Sequence, residues 1–210
     1  MVASTKTTRP LTPGSTGWCT DDLKDPEIRR QWDEQRVEMV HGVIAQMPAA
    51  AAFFDHSSVV DRLFNFLRTH FEGMGVEAEF GEDVDFKLSE TVMYRADGIM
   101  LLPDDLKHQL EAQRKIGEPT DSVRSILIAP TLVVESVSKG HESHDYVVKM
   151  DDYARFGAPN YWIVSQAEKS LACYRLEDGE YVLDASGKTP KVINPSAFPG
   201  LSIPLKKVFR

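Results

Sequence analysis

Hydrophobic residues recur every four positions through residues 56–71. Val59, Leu63, Leu67 and Phe71 form the series, with Val60 and Phe64 beside them. That period sets them on one face of a helix. Asp55 is placed to cap its start and Gly73 to stop it. Upstream, residues 26–35 read as a short helix. The apolar runs 36–40 and 43–47 flank His41-Gly42 and read as a β-hairpin. Downstream, 76–80 and 84–88 read as two short strands and 94–102 as a third. Residues 103–125 turn polar, with a surface helix expected over 106–116, and read as an insertion. Residues 132–137, apolar and β-branched, form a buried strand. A second helix is expected over 144–156, ending at Gly157. Strands at 161–164, 171–176 and 181–185 follow, then closing segments at 198–201 and 205–209. This order predicts an α/β arrangement, a mixed sheet with helices on its faces.

Two carboxylates break this pattern. Glu135 lies in Leu-Val-Val-Glu-Ser-Val and Asp97 in Ala-Asp-Gly-Ile-Met-Leu-Leu, both otherwise core strands. A buried charge needs a cation, a metal or a proton. By the period of two, Glu135 shares a face with Val133 and Val137, and Asp97 with Ile99 and Leu101. Two such carboxylates on neighbouring strands suit Mg²⁺ or Mn²⁺, which take hard oxygen ligands. Each residue alone fits equally well a structural pairing with a buried Arg or Lys. On the helix that follows, Asp145, Lys149, Tyr153 and Phe156 fall on one face. Lys149 then points inward beside the carboxylates, where it can orient water or offset phosphate charge. Spacing alone favours the plainer reading, an Asp145–Lys149 pair on a solvated face. His56 at the start of its helix and Glu38 in the first hairpin strand are accessory candidates. His141 and His144 lack zinc-motif spacing and read as solvated. There is no GxSxG elbow, GxxxxGK[ST] loop or GxGxxG turn.

Composition narrows the classes. The chain has 210 residues, 42% of them hydrophobic, enough for one substantial core. We expect a single domain over residues 26–210, after a flexible tail over residues 1–25 that lacks a secretory apolar stretch. No apolar run approaches the roughly 20 residues of a membrane span. Cys19 and Cys173 make no CxxC pair, which suggests a reducing cytoplasm. The net charge of −8 lowers the expectation of tight nonspecific phosphate binding.

The core of the chain also resembles a known family. The run from Pro130 through Glu135 to Ser138, then Asp145-Tyr-Val-Val-Lys149, then Asp152-Tyr-Ala-Arg-Phe-Gly-Ala-Pro-Asn-Tyr-Trp-Ile-Val164, is similar to the Uma-two type restriction endonucleases of the PD-(D/E)XK superfamily. Tyr174-Arg-Leu176, Gly179-Glu-Tyr181, Phe198-Pro-Gly-Leu201, Glu38-Met-Val-His-Gly42 and His56 extend the likeness. The resemblance implies a restriction-endonuclease-like core, a mixed β-sheet flanked by helices, with additional C-terminal strands. It implies a Mg²⁺- or Mn²⁺-dependent endonuclease acting on DNA. Asp97 and Glu135 would bind metal, the Ser136 peptide carbonyl would be a third ligand, and Lys149 would complete the catalytic set. His56, Glu38 and Tyr153 would be accessory. Two positions depart from the superfamily pattern: Ala96 replaces the proline before the aspartate, and Val137 the lysine two residues after the glutamate. Lys149 is the substitute this implies, with Lys139 its rival. A catalytically silent nuclease-fold binding or assembly module is the alternative. DNA is the expected partner, and homodimerisation is left open.

Overall fold

The computed structural model describes residues 9–47, 53–137 and 144–210, the side chains of 53–58 and 144–146 excepted, and its first two strands form a tight hairpin. Strands β1 (Val37–Val40) and β2 (Val43–Gln46) pair antiparallel across His41 and Gly42. Both turn residues take positive φ, 49° and 76°, the turn whose twist suits two strands. Helix α1 (Pro26–Glu34) precedes them. Pro26 begins it, and Asp25 caps it by accepting the N–H groups of Glu27 and Ile28 at 2.9 and 3.3 Å.

These elements belong to the first of two compact units, which lies within residues 1–49 and 87–95. Its core is built from Leu11, Trp18, Ile28, Trp32, Met39 and Met93 among others. Two residues of the segment expected as a tail contribute to this core. Leu11 and Trp18 are buried, and the Trp18 N–H donates to the Gly42 carbonyl at 3.0 Å. An indole carries too much apolar surface to be left in water beside an open core.

The second unit lies within residues 50–86 and 96–210. Its helices are α2 (Phe53–Gly73), α3 (Pro103–Ile116), α4 (Met150–Phe156) and α5 (Leu205–Val208). Its strands are β3 (Glu79–Lys87), β4 (Met93–Leu101, whose first residues belong to the other unit), β5 (Ser125–Ile126), β6 (Leu132–Val137), β7 (Asn160–Ser165), β8 (Ser170–Glu177), β9 (Glu180–Lys188), β10 (Val192–Ile193) and β11 (Ile203–Pro204). The sheet order is β4-β6-β7-β8-β9, with β3 beside β4 and β5 beside β3. Strands β6 and β7 run parallel, while β4–β6, β7–β8 and β8–β9 are antiparallel, so the sheet is mixed.

One face of this sheet is covered by α2. Val59, Leu63, Leu67 and Phe71, with Val60 and Phe64, pack on Met100, Leu132, Val134, Trp162 and Val164. The predicted stripe is the buried stripe. Gly98 of β4 lets the helix close on the sheet: a Cβ there would lie 2.6 Å from the Phe64 ring and 2.9 Å from Val60.

Four local expectations change. Helix α2 begins before Asp55, which lies inside it, because a cap signal is a weak local preference. The expected break between two strands at 81–83 is a kink within the single strand β3. Asp83 takes a φ of 52°, and Gly81 leaves room for the Val84 side chain. Helix α3 starts at Pro103 and is more than a surface helix, for it buries Gln109 and Gln113. The second long helix is an α-helix only from Met150, preceded by a π-helical turn over His144–Lys149. Among the described residues no helix is long and apolar enough to cross a membrane.

Candidate functional site

The face of the second unit's sheet opposite α2 carries the two anomalous carboxylates. On β6, Leu132 and Val134 join the α2 core, so Glu135 alternates to the other side. On β4, Met100 joins that core and Gly98 meets Phe64, so Asp97 does the same. The antiparallel register pairs Ile99 with Val133 and Gly98 with Val134. Continued one step, that register brings Asp97 towards Glu135 on the face away from α2. The regular ladder stops at Gly98. The Asp97 side chain takes up the next donor, accepting the Ser136 N–H at 2.7 Å.

Glu135 is 2% exposed, yet both of its oxygens are engaged. Lys149 Nζ donates to Oε2 at 3.1 Å and the Tyr153 hydroxyl donates to Oε1 at 2.7 Å. Lys149 is itself 3% exposed. It therefore points inward from the π-helical turn, as the residue pattern allowed. A π-helical turn widens the backbone spiral and is common at functional sites. The other pairing considered, Asp145 with Lys149, involves a side chain outside the described set.

Aromatic rings fix Tyr153 in place. Phe86 of β3 stacks on it at 5.4 Å between centroids and 16° between planes, and Tyr161 of β7 meets it edge-on at 5.3 Å. The hydroxyl is aimed at Glu135 by a ring with little freedom to turn. Phe86 and Tyr161 carry this role without having been singled out from sequence. Their alternation within strands was the signal, but a strand pattern does not say which helix crosses above.

Glu38 belongs to the other unit, where it is buried and accepts the Arg95 N–H at 3.2 Å. His56 lies in the first turns of α2, with its side chain outside the described set, as is that of His144. Lys139 and His141 lie outside the described residues. The Ser136 hydroxyl is buried, alternates to the α2 side and has no partner among the described residues. Only the backbone of Ser136 borders the carboxylates. Glu82 of β3 was missed from sequence. Burial, then the charges of Asp61 and Asp83, hold its carboxyl above the usual range, and Asp97 adds to the effect. The Arg68 guanidinium works against this rise.

Among the described residues no three His, Cys, Asp or Glu side chains converge as a ready-made metal cage. The donor set nevertheless fits Mg²⁺, which is commonly bound through one or two carboxylates with water and phosphate completing the shell. Asp97 is partly open to solvent, and one of its carboxylate oxygens accepts the Ser136 N–H at 2.7 Å.

A crystal structure described as "a putative nuclease belonging to DUF820 from Anabaena variabilis ATCC 29413" superposes on this chain with a TM-score of 0.62 at 16% identity, covering 84% of this chain and 90% of that one. At that identity the likeness is one of fold, and the fold is restriction-endonuclease-like. No curated protein matches the chain. A family profile does, over residues 26–206, and it takes in both strands that bear the carboxylates and the helix that bears Lys149. The chain belongs to the Uma2 family, whose description is "Putative restriction endonuclease".

Proposed function

We propose that this protein is a divalent-metal-dependent endonuclease that hydrolyses phosphodiester bonds in DNA. The observation that carries the reading is the Asp97 carboxylate on the Ser136 N–H at 2.7 Å, next in the chain to a buried Glu135 that an inward lysine meets at 3.1 Å. Asp97, Glu135 and the Ser136 carbonyl would hold Mg²⁺ or Mn²⁺. When bound, the metal supplies an activated water and neutralises charge on the scissile phosphate. Lys149 places an ammonium at the edge of the site, where it attracts the phosphate oxygens and stabilises charge that grows on them. Tyr153 keeps one Glu135 oxygen occupied, which fixes the orientation of the carboxylate. The buried apolar walls around Glu135 strengthen each of these interactions. No step is assigned to His56 or Glu38.

A second reading has its own observation. Lys149 and Tyr153 satisfy both Glu135 oxygens without any metal, as in a structural ion pair. Together with Ala96 and Val137 this describes a nuclease-fold binding module that does not cut.

Mn²⁺ calorimetry and plasmid cleavage on the wild type, Asp97→Ala and Glu135→Gln separate the two. The proposal expects wild-type binding at or below millimolar Mn²⁺ and cleavage, both lost in each variant while circular dichroism is unchanged. Cleavage that survives either substitution would overturn it. Absence of metal binding in the wild type would leave the binding-module reading.

A further inference from the structure

The polar insertion builds a cavity. Helix α3 and the segment after it wall a space of about 430 Å³ in the second unit. Its floor is apolar, formed by Phe80 and Val84 of β3, Ile99 of β4, and Leu106 and Leu110 of α3. That volume falls in the range of small-molecule pockets, roughly 300–1,000 Å³.

The wall is held by buried polar bonds. Gln109 donates to the Ser125 carbonyl at 2.9 Å and accepts the Leu127 N–H at 2.8 Å. Gln113 donates to the carbonyls of Pro119 and Ser122 at 2.6 and 2.9 Å. Both side chains are fully buried. The rim that these bonds secure, Thr120 to Val123, is therefore preformed.

The cavity lies beside the candidate site. Ile99, in its floor, is two residues from Asp97 on the same side of β4, about 6.7 Å along the strand. Strand β4 thus carries both the cavity floor and the Asp97 carboxylate.

We infer that this cavity receives an unstacked nucleobase of the DNA substrate, an inference that rests on the nuclease reading above. The rim argues against a phosphate as occupant, because Glu79 and Asp121 are acidic and the chain carries a net charge of −8. A base is neutral and planar. Its faces suit the apolar floor, and its edge suits the rim. Carboxylates accept hydrogen bonds from exocyclic amino groups, so Asp121 and Glu79 favour cytosine, adenine or guanine over thymine, which has none. Extruding a base is cheapest where it is already unpaired. The preferred substrate is therefore single-stranded or locally unpaired DNA rather than intact duplex.

Methyl NMR on the full chain, titrated with deoxycytidine or thymidine in the absence of metal, tests this. Deoxycytidine should give saturable shifts at Leu106, Leu110 and Val123, with thymidine about tenfold weaker. Val123 is 39% exposed, so Val123→Trp should close the mouth without unfolding the protein and abolish the shifts. Asp121→Asn should erase the difference between the nucleosides. Glu135→Gln, which disables the proposed nuclease site, should leave the shifts intact. Nucleoside binding without cleavage by the wild type would sink the nuclease reading alone. Absence of shifts at these methyls, or shifts that persist in Val123→Trp, would overturn the nucleobase pocket whether or not the protein cuts DNA.

Discussion

Glu135 is a buried carboxylate whose two oxygens are held by one cation and one hydroxyl. Removing the cation leaves a charge with no adequate partner, which typically costs about 3–5 kcal/mol. Lys149→Met should therefore lower unfolding stability by about that amount in urea titration. Adding Glu135→Leu to it should recover most of the loss, because an apolar pair of similar size packs without desolvation cost. A single substitution that costs under about 1 kcal/mol would mean the pair is solvated or uncoupled. Glu82 gives a pH signature at the same scale. Burial and the neighbouring Asp61 and Asp83 raise its carboxyl, so the folded protein binds that proton more tightly than the unfolded chain does. The resulting stability is fully present below the ordinary value of 4.5 and is lost as pH rises through the folded-state value. In chelator, Glu82→Gln should raise Tm near neutrality and leave it unchanged in more acid solution. An equal gain at both pH values would assign the effect to packing instead.

At the scale of elements, the approach of α2 to β4 depends on one missing side chain. Gly98→Ala would place a methyl 2.6 Å from Phe64 and 2.9 Å from Val60. Overpacking of this kind costs about 1–3 kcal/mol. Gly98 adjoins Asp97, so the displacement should also weaken the metal binding proposed for that residue. Phe64→Leu in the Gly98→Ala background should restore part of both, read by urea titration and Mn²⁺ calorimetry. If the single variant is as stable as the wild type, the close approach is not required. The same scale shows where local signals failed. Gly81-Glu-Asp83 carries turn residues, yet β3 runs through it as one strand, with Asp83 taking a φ of 52° inside the strand. The amphipathic run before Gly157 ends as an α-helix, but its first part is a π-helical turn that shifts the angular position of Lys149. Four-residue periodicity does not register such a shift.

For the whole molecule, the net charge of −8 limits how it can hold DNA. Each phosphate neutralised contributes about −0.7 to −0.9 to the slope of log affinity against log salt. A protein with few such contacts and a base pocket should show a shallow slope, between about −1 and −3. Fluorescence anisotropy of a single-stranded oligonucleotide over a salt series measures it. A slope steeper than about −5 would point to a broad basic groove and away from base contacts.

The helices, the hairpin and the buried strands were legible in the sequence, because each is written in a local period of apolar residues or in a turn dipeptide such as His41-Gly42. The two carboxylates were legible for the opposite reason: Asp97 and Glu135 violate that pattern, and a charge in a core strand signals either chemistry or a partner. The sequence could not say which partner. Strand register, with Gly98 opposite Val134, is what brings Asp97 to Glu135. The path of α4 over the sheet decides that Lys149 meets Glu135 and that Phe86 stacks on Tyr153. These pairings join residues far apart along the chain, and no local period encodes them. The packing of Leu11 and Trp18, the glutamine-held rim beside α3 and the role of Glu82 come from tertiary structure for the same reason. Each depends on which surfaces are covered once the chain has closed on itself.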